Sequence, residues 1–338
     1  METRSKTVTI RDVARAAGVS TSTVSRVLDE RLAPSQSPAA QRVREAVRTL
    51  GYRRHLSASS LRRGFSSTIG VLVPRLTDIV MALLYEEIAR SCARVDKFAL
   101  VATTDDDPIL GRKAVTALLQ RGVDGLIVAT ARDHDVDDGP LMDVDVPLVL
   151  ALRSHGQECA AVGDDELGGY LATRHLLDLG HRRIGVISGP GYASSAAGRL
   201  RGYFRALSEA GVTADDELVV GSSFQAEPAD PHCRELLSLT DRPTAIFAMN
   251  DAAAISAYFA LTRLGLSVPS DMSLVGYNDT PLASMLPTPL TSVRVPFDQI
   301  AQAALDLLDH PPVAPRDRVR TVATTLIPRA STSSPGSS

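Results

Sequence analysis

Three cysteines occur in 338 residues, Cys92, Cys159 and Cys233, far apart in sequence. Such spacing builds neither a disulfide framework nor a metal motif, so they read as inert thiols in a reducing compartment. No apolar run approaches the ~18 residues that span a bilayer, and the N-terminus lacks the apolar core of a signal peptide. The expectation is a cytoplasmic chain with no membrane partner. Catalytic signatures are missing too: there is no Gly-x-Ser-x-Gly, no zincin pair and no Walker motif. The acidic runs Asp105–Asp107 and Asp133–Asp138 lack a cation-ligand spacing, so no metal is expected. GPGYAS (189–194) faintly resembles a phosphate-binding turn, but it lacks the third glycine and does not follow the first strand of its domain. No cofactor and no enzymatic activity are expected.

A strong net charge is also absent, since the sum is −3. That sum hides a division. Residues 1–64 hold 13 Lys and Arg against 5 acids, while the other 274 residues hold 23 against 34. A basic head on an acidic body fits a polyanionic partner for the head alone.

The head carries a pattern. Thr9 and Asp12 stand as an N-cap and its third helical residue, and Ile10, Val13, Ala14 and Ala17 recur at helical spacing. Gly18 can end that helix with a positive φ and turn the chain. Ser20 then caps a second helix with Val24, Val27 and Leu28 inward, and Thr21, Ser22, Ser25 and Arg26 face away. Two helices joined in this way predict a helix-turn-helix whose second helix enters the DNA major groove. Arg26 is the best base reader, because a guanidinium can bond O6 and N7 of guanine together. Ser20, Thr23 and Ser25 suit phosphate oxygens. Ser37-Pro38 opens a third helix that ends at Gly51.

The segment HLSASSLRRG (55–64) reads either as a basic linker or as a helix formed on DNA, with Leu61 driven into the minor groove as a wedge. From Thr68 onward, β-branched-rich runs such as TIGVLV (68–73), GLIVAT (125–130) and SLVGYN (273–278) alternate with helical stretches. The alternation predicts a parallel α/β body of two doubly wound lobes, with a ligand held between them outside the carboxyl ends of the strands.

The stretches TIRDVARAAGVSTSTVSRVL (9–28), LGY (50–52), ASSLR (58–62), LLDLGHRRIGVISGP (176–190), RPTAIFAMND (242–251), VPSDMSLVGYND (268–279) and PLTSVR (289–294) together resemble the LacI/GalR family of transcriptional regulators. The resemblance implies an α/β fold class with an N-terminal three-helix head (1–54), a hinge helix (55–66) and a two-lobed periplasmic-binding-protein-like body (67–332). Lobe one would cover about 67–163 and 295–322, and lobe two about 164–294 and 323–332. Residues 333–338 would be a disordered tail.

It further implies a homodimer on near-palindromic operator DNA, most simply a repressor, whose affinity is set by a small-molecule effector such as a carbohydrate. Thr21, Ser22 and Arg26 match base-reading positions, Leu61 the minor-groove lever and Ala58 its packed neighbour. In the cleft, Arg199 aligns with an arginine that bonds ligand hydroxyls or carboxylates, Phe224 with a stacking aromatic and Ser195 with a smaller polar contact. Asn250, Asn278 and Asp279 match polar groups of the far wall, and Thr77 and Asp78 open the near loop. Asp251, beside Asn250, also reads as a cap of the helix that follows.

Several positions depart from the family pattern. Ile79, Val80 and Met81 replace ring platforms, Leu152 replaces an acidic sugar acceptor, and Arg153 after it brings a second cation to the cleft. In the head, Ala39-Ala40, Asp29 and Arg54-His55 stand where DNA-contacting or hinge residues are usual. Two other classes fit a two-lobed body: a sugar-transport module, against which the basic head argues, and an enzyme on a Rossmann-like sheet, which the absorbance or mass signature of a bound nucleotide would reveal.

Overall fold

The structure, a computed structural model, describes residues 8–28, 32–52, 66–132, 144–155, 158–221 and 230–336. The chain divides into two units, 1–66 and 67–338.

The first unit contains α1 (Ile10–Ala17), α2 (Thr21–Val27) and α3 (Pro38–Leu50). Asp12 accepts from the Thr9 backbone N–H at 3.0 Å and from its hydroxyl at 2.7 Å, which ties down the start of α1. Gly18 adopts φ +63°, and Ser20 Oγ accepts from Thr23 N at 3.2 Å to cap α2. Val13, Ala14, Ala17, Val24, Val43 and Ala46 form the core, small enough for three short helices to close on one another. Arg42 of α3 donates to the Ala17 carbonyl at 3.1 Å, satisfying an end of α1 that has no intrahelical partner. The hinge segment, with Ala58 and Leu61, lies outside the described residues.

The second unit holds two six-stranded sheets. The first is built from β1 (Thr68–Val73), β2 (Phe98–Thr103), β3 (Gly125–Val128), β4 (Leu148–Ala151), β5 (Cys159–Gly163) and β11 (Val319–Val322). Its order is β11-β5-β4-β3-β1-β2, parallel throughout. The second is built from β6 (Ile184–Ser188), β7 (Val219–Gly221), β8 (Ala245–Ala248), β9 (Ser273–Asn278), β10 (Thr291–Arg294) and β12 (Thr325–Ile327). Its order is β12-β10-β9-β8-β6-β7, parallel except for the edge pair β10 and β12. The chain thus crosses between lobes three times, after β5, β10 and β11.

Helices α4 (Ile79–Arg94), α5 (Pro108–Gln120) and α11 (Phe297–Asp309) cover the first sheet, and α6 (Asp165–Asp178), α7 (Ser194–Glu209), α8 (Asp230–Ser238), α9 (Asp251–Arg263) and α10 (Pro281–Met285) belong with the second. The continuous apolar strands are buried on both faces, as parallel sheets require. No helix among the described residues is long and apolar enough to cross a membrane.

Two glycines set the approach of α6 to α7. A Cβ on Gly169 would lie 2.0 Å from the Arg199 carbonyl oxygen, and one on Gly202 would lie 2.1 Å from that of Glu166. The helices can therefore touch backbone to backbone, which brings Arg199 beside Asp165. Ser333, expected to open a disordered tail, is tied to lobe two. Ser333 N donates to Ser273 Oγ at 3.0 Å, and the Ser333 carbonyl lies 2.9 Å from His181 Nε2. A run of small hydroxyl residues carries no apolar signal, yet here it satisfies buried polar groups of lobe two.

Candidate nucleic-acid interface and ligand cleft

In the head, α2 turns one residue, Val24, fully inward, and leaves Thr21, Ser22 and Arg26 exposed. Thr23 and Ser25 are half-buried at the edge of that face, and Thr9 and Ser20 are exposed beside it. The Ser20 hydroxyl lies 2.8 Å from that of Ser22 and 2.9 Å from that of Thr23, so these side chains form one local cluster around the helix start. Exposed hydroxyls thus gather at a helix N-terminus, a surface suited to phosphate, with a guanidinium one turn on to reach a base edge.

In the body, a cavity of about 50 Å³ lies between the lobes. Lobe one contributes Asp78 to Met81, at the start of α4, and Leu152 and Arg153, after β4. Lobe two contributes Ser195 and Arg199 from α7, Asn250 and Ala252 at the start of α9, and Asn278 and Thr280 after β9. All these points lie outside carboxyl ends of strands, where open α/β sheets hold ligands. Two of the lining residues are strained non-glycines, Leu152 at φ +66° and Asn278 at +98°, and Asp279, next along the chain, has +51°.

The lining residues are held by a buried polar frame. Arg199 donates through Nε to Asp165 Oδ1 at 2.8 Å and through Nη1 to the Met249 carbonyl, and its guanidinium sits 3.7 Å over the Tyr277 ring. Tyr277 Oη donates to the same Asp165 oxygen at 3.2 Å. Burial raises the Asp165 carboxyl above its ordinary value; burial likewise opposes the charge on Arg199, but Asp165 and Tyr277 together outweigh it and raise its pKa.

Asp251 does not cap α9. Asn250 does, through Oδ1 to Ala253 N at 2.6 Å. Asp251 instead accepts from Thr280 N at 2.6 Å and from Ser292 Oγ at 2.6 Å, and so fixes the 278–280 turn from beneath. Desolvation pushes its pKa up to about 6.

Asp279, expected at the cleft, is not among the lining residues. Its carboxylate pairs with Arg294 at 2.7 Å and Arg329 at 2.6 Å, which makes it a strut of the turn. Thr77 is exposed and outside the lining, and Phe224 lies outside the described residues. Asp78, Arg153, Ser195, Arg199, Asn250 and Asn278 do converge. Ile79 to Met81 and Leu152, read in the sequence as departures, form an aliphatic wall. Sequence reasoning did not place Thr280 or Ala252 in contact with the cavity. The position of Thr280, two residues past Asn278 and just before a helix-opening Pro281, was the available signal. The lobes are also bridged directly: Tyr192 Oη donates to Asp106 Oδ2 at 2.7 Å, the Arg132 guanidinium lies 4.4 Å over the Tyr192 ring, and Ser154 N donates to Ser194 Oγ at 3.0 Å.

Residues 9–55 match the model of bacterial regulatory proteins of the lacI family, and residues 173–332 match a periplasmic binding protein-like domain. The ribose operon repressor of Escherichia coli (strain K12) is 35% identical over 305 residues, covering 89% of this chain and 92% of that protein. The chain belongs to the LacI family of bacterial regulatory proteins. Another LacI-type relative, the HTH-type transcriptional repressor PurR of Photobacterium profundum, is 32% identical over 89% of this chain and 90% of its own length. Among solved structures, the lac repressor dimer bound to operator and the anti-inducer ONPF superposes with a TM-score of 0.85 at 27% identity, covering 97% of this chain and all of that one. The complex of the transcriptional regulator CelR with cellobiose gives 0.71 at 27% identity, covering 96% and 99%. LacI-family membership thus accounts for both the helix-turn-helix and the two-lobed body.

Proposed function

We propose that this chain is a DNA-binding transcriptional repressor, working in the cytoplasm as a homodimer on a near-palindromic operator. The observation that carries the reading is the outward face of α2, where Arg26, Thr21 and Ser22 stand exposed opposite the buried Val24. Arg26 reads a guanine edge; Thr21 and Ser22 make neighbouring base contacts; Ser20, Thr23, Ser25 and Thr9 hold phosphates. Leu61, with Ala58 beside it, unstacks the operator centre. The operator-bound lac repressor dimer and the operon repressors among the relatives support this assignment.

A small effector binds between the lobes and shifts the balance of their arrangements, so changing operator affinity, with a coupling of about 1–3 kcal/mol. The contacts of Tyr192 with Asp106 and of Ser154 with Ser194 are then bonds made in one arrangement and lost in another. The cellobiose complex and the ribose operon repressor support a carbohydrate or carbohydrate derivative. A regulatory rather than an enzymatic role is supported by the transcriptional repressors among the relatives.

The test is a gel shift with duplexes selected from a random pool by the full-length protein. Arg26→Ala should lose about 1–3 kcal/mol of discrimination at one symmetric pair of positions while its binding to random duplex survives. Equal loss on every sequence would refute base reading by Arg26.

A further inference from the structure

The cleft sets two guanidinium groups against one carboxylate, and that imbalance says more about the effector than its size does. Asp78 Oδ1 accepts from Val80 N at 2.9 Å, so this carboxylate is tied to the start of α4. Asn250 Oδ1 is tied in the same way to Ala253 N, which leaves its NH₂ group, a donor, for a guest. Arg199 and Arg153 have only N–H groups to give. Thr280, 2% exposed, also lines the cavity.

The two guanidinium groups are those of Arg153 and Arg199, and the carboxylate is that of Asp78. Arg199 is matched from behind by Asp165 at 2.8 Å and packed on Tyr277. Arg153 is 4% exposed; its Nη1 donates to the Ala131 carbonyl at 3.4 Å and its guanidinium lies 5.8 Å from the Tyr192 ring centre. The opposite charges acting on it, Asp106 and Asp78, also serve Tyr192 and the α4 N-terminus. Leu152, in a left-handed conformation costly for leucine, directs Arg153 at the cavity. The same cavity is lined by the apolar Ile79, Val80, Met81 and Leu152.

We propose that the effector is a small carboxylate-bearing molecule, such as a sugar acid or hydroxy acid. Its carboxylate sits on the Arg153 guanidinium and a second oxygen accepts from the Asn250 NH₂ group. A carboxylate offers acceptors only, which matches the N–H groups that Arg153, Arg199 and Asn250 bring to the cavity. The inference rests on the reading of the cleft as the effector site.

The experiment is a thermal shift series on the full-length chain with matched probes: gluconate against glucose, galacturonate against galactose, and the corresponding sugar 6-phosphates. The acids should raise the melting temperature and their neutral partners should not. Arg153→Met should weaken acid binding at least about tenfold, Arg153→Lys less, and Asp78→Asn, which keeps a good helix cap, should tighten it several-fold by removing a like charge. Opposite responses of the last variant and the first are not produced by a merely structural role. The unliganded melting temperature of each variant reports its fold, and should Arg153→Met fail to fold, Arg153→Lys and Asp78→Asn still decide.

A neutral sugar binding as tightly as its acid, a phosphate ester binding where the acid does not, undiminished acid binding by Arg153→Met, or no shift with any probe would each overturn the proposal. Operator affinity separates the two levels. Release of operator by a neutral metabolite would sink the carboxylate and keep the regulatory cleft. An acid that binds without changing operator affinity would do the reverse.

Discussion

In the head, the polar side chains that matter face outward; in the body, they face inward. Thr21, Ser22 and Arg26 stand exposed on α2, supported by a core of six small aliphatic residues. Asp165, Arg199, Asp251, Asn278 and Thr280 are buried or nearly so between sheets and helices. The difference follows from the partners. A duplex is large, rigid and charged, so a reader needs only a stiff local frame and donors in water. A small molecule has to be desolvated to be recognised, so its site must be assembled from distant strand ends and held by a frame of its own.

That contrast can be broken by experiment. The largest effect is expected in the body. Asp165→Ala leaves Arg199 buried without its counter-charge and should cost about 3–5 kcal/mol, read from denaturant unfolding of the full chain. A loss below about 1 kcal/mol, the worth of an exposed pair, would mean that the polar frame does not support the cleft. Arg199→Ala should show a comparable loss from the other side of the pair, so its effect on effector response is to be read only alongside its stability.

The second effect is a pH dependence. The folded pKa of Asp251, about 6, lies above its ordinary value of 3.8. Between these values the folded state binds a proton that the unfolded state does not. Stability should therefore fall as pH rises from about 4 to about 6, by roughly 2–3 kcal/mol, and level off above. Asp251→Asn should flatten this part of the melting-temperature profile; an identical slope in the variant would show that Asp251 is not its source.

The smallest effect belongs to the head. Ser20→Ala removes the cap of α2 and should cost about 1 kcal/mol, with operator binding reduced in proportion. A cost as large as that of Asp165→Ala would erase the distinction between the two regions.

The same contrast explains what could be read before the fold was known. Cap, glycine turn and apolar spacing lie within one short stretch of the head, residues 9–28, so α1, α2 and the outward face of α2 were legible. The long strands β1 and β9 and the fully apolar β3 announced themselves by unbroken β-branched runs. The short β5, CAAVG, and β10, TSVR, did not, because so few small or polar residues make no pattern until a neighbouring strand pairs with them. The helix α11, FDQIAQAALDLLD, was missed although its apolar residues recur at helical spacing.

At the cleft, the motif positions Arg199, Asn250 and Asn278 were found. Their partners were not, since Asp165 is 34 residues from Arg199 and meets it only because Gly169 and Gly202 let two helices touch. The partners of Asp279 were hidden for the same reason: Arg294 and Arg329, which hold it, come from other parts of the chain.

The central claim, that α2 reads DNA sequence, is tested most directly by one ratio at fixed salt: the affinity of the full-length chain for a selected near-palindromic duplex against the same duplex shuffled. The account predicts a preference of about a thousandfold or more. Equal affinity for the two duplexes, with or without cleft ligands present, would contradict it.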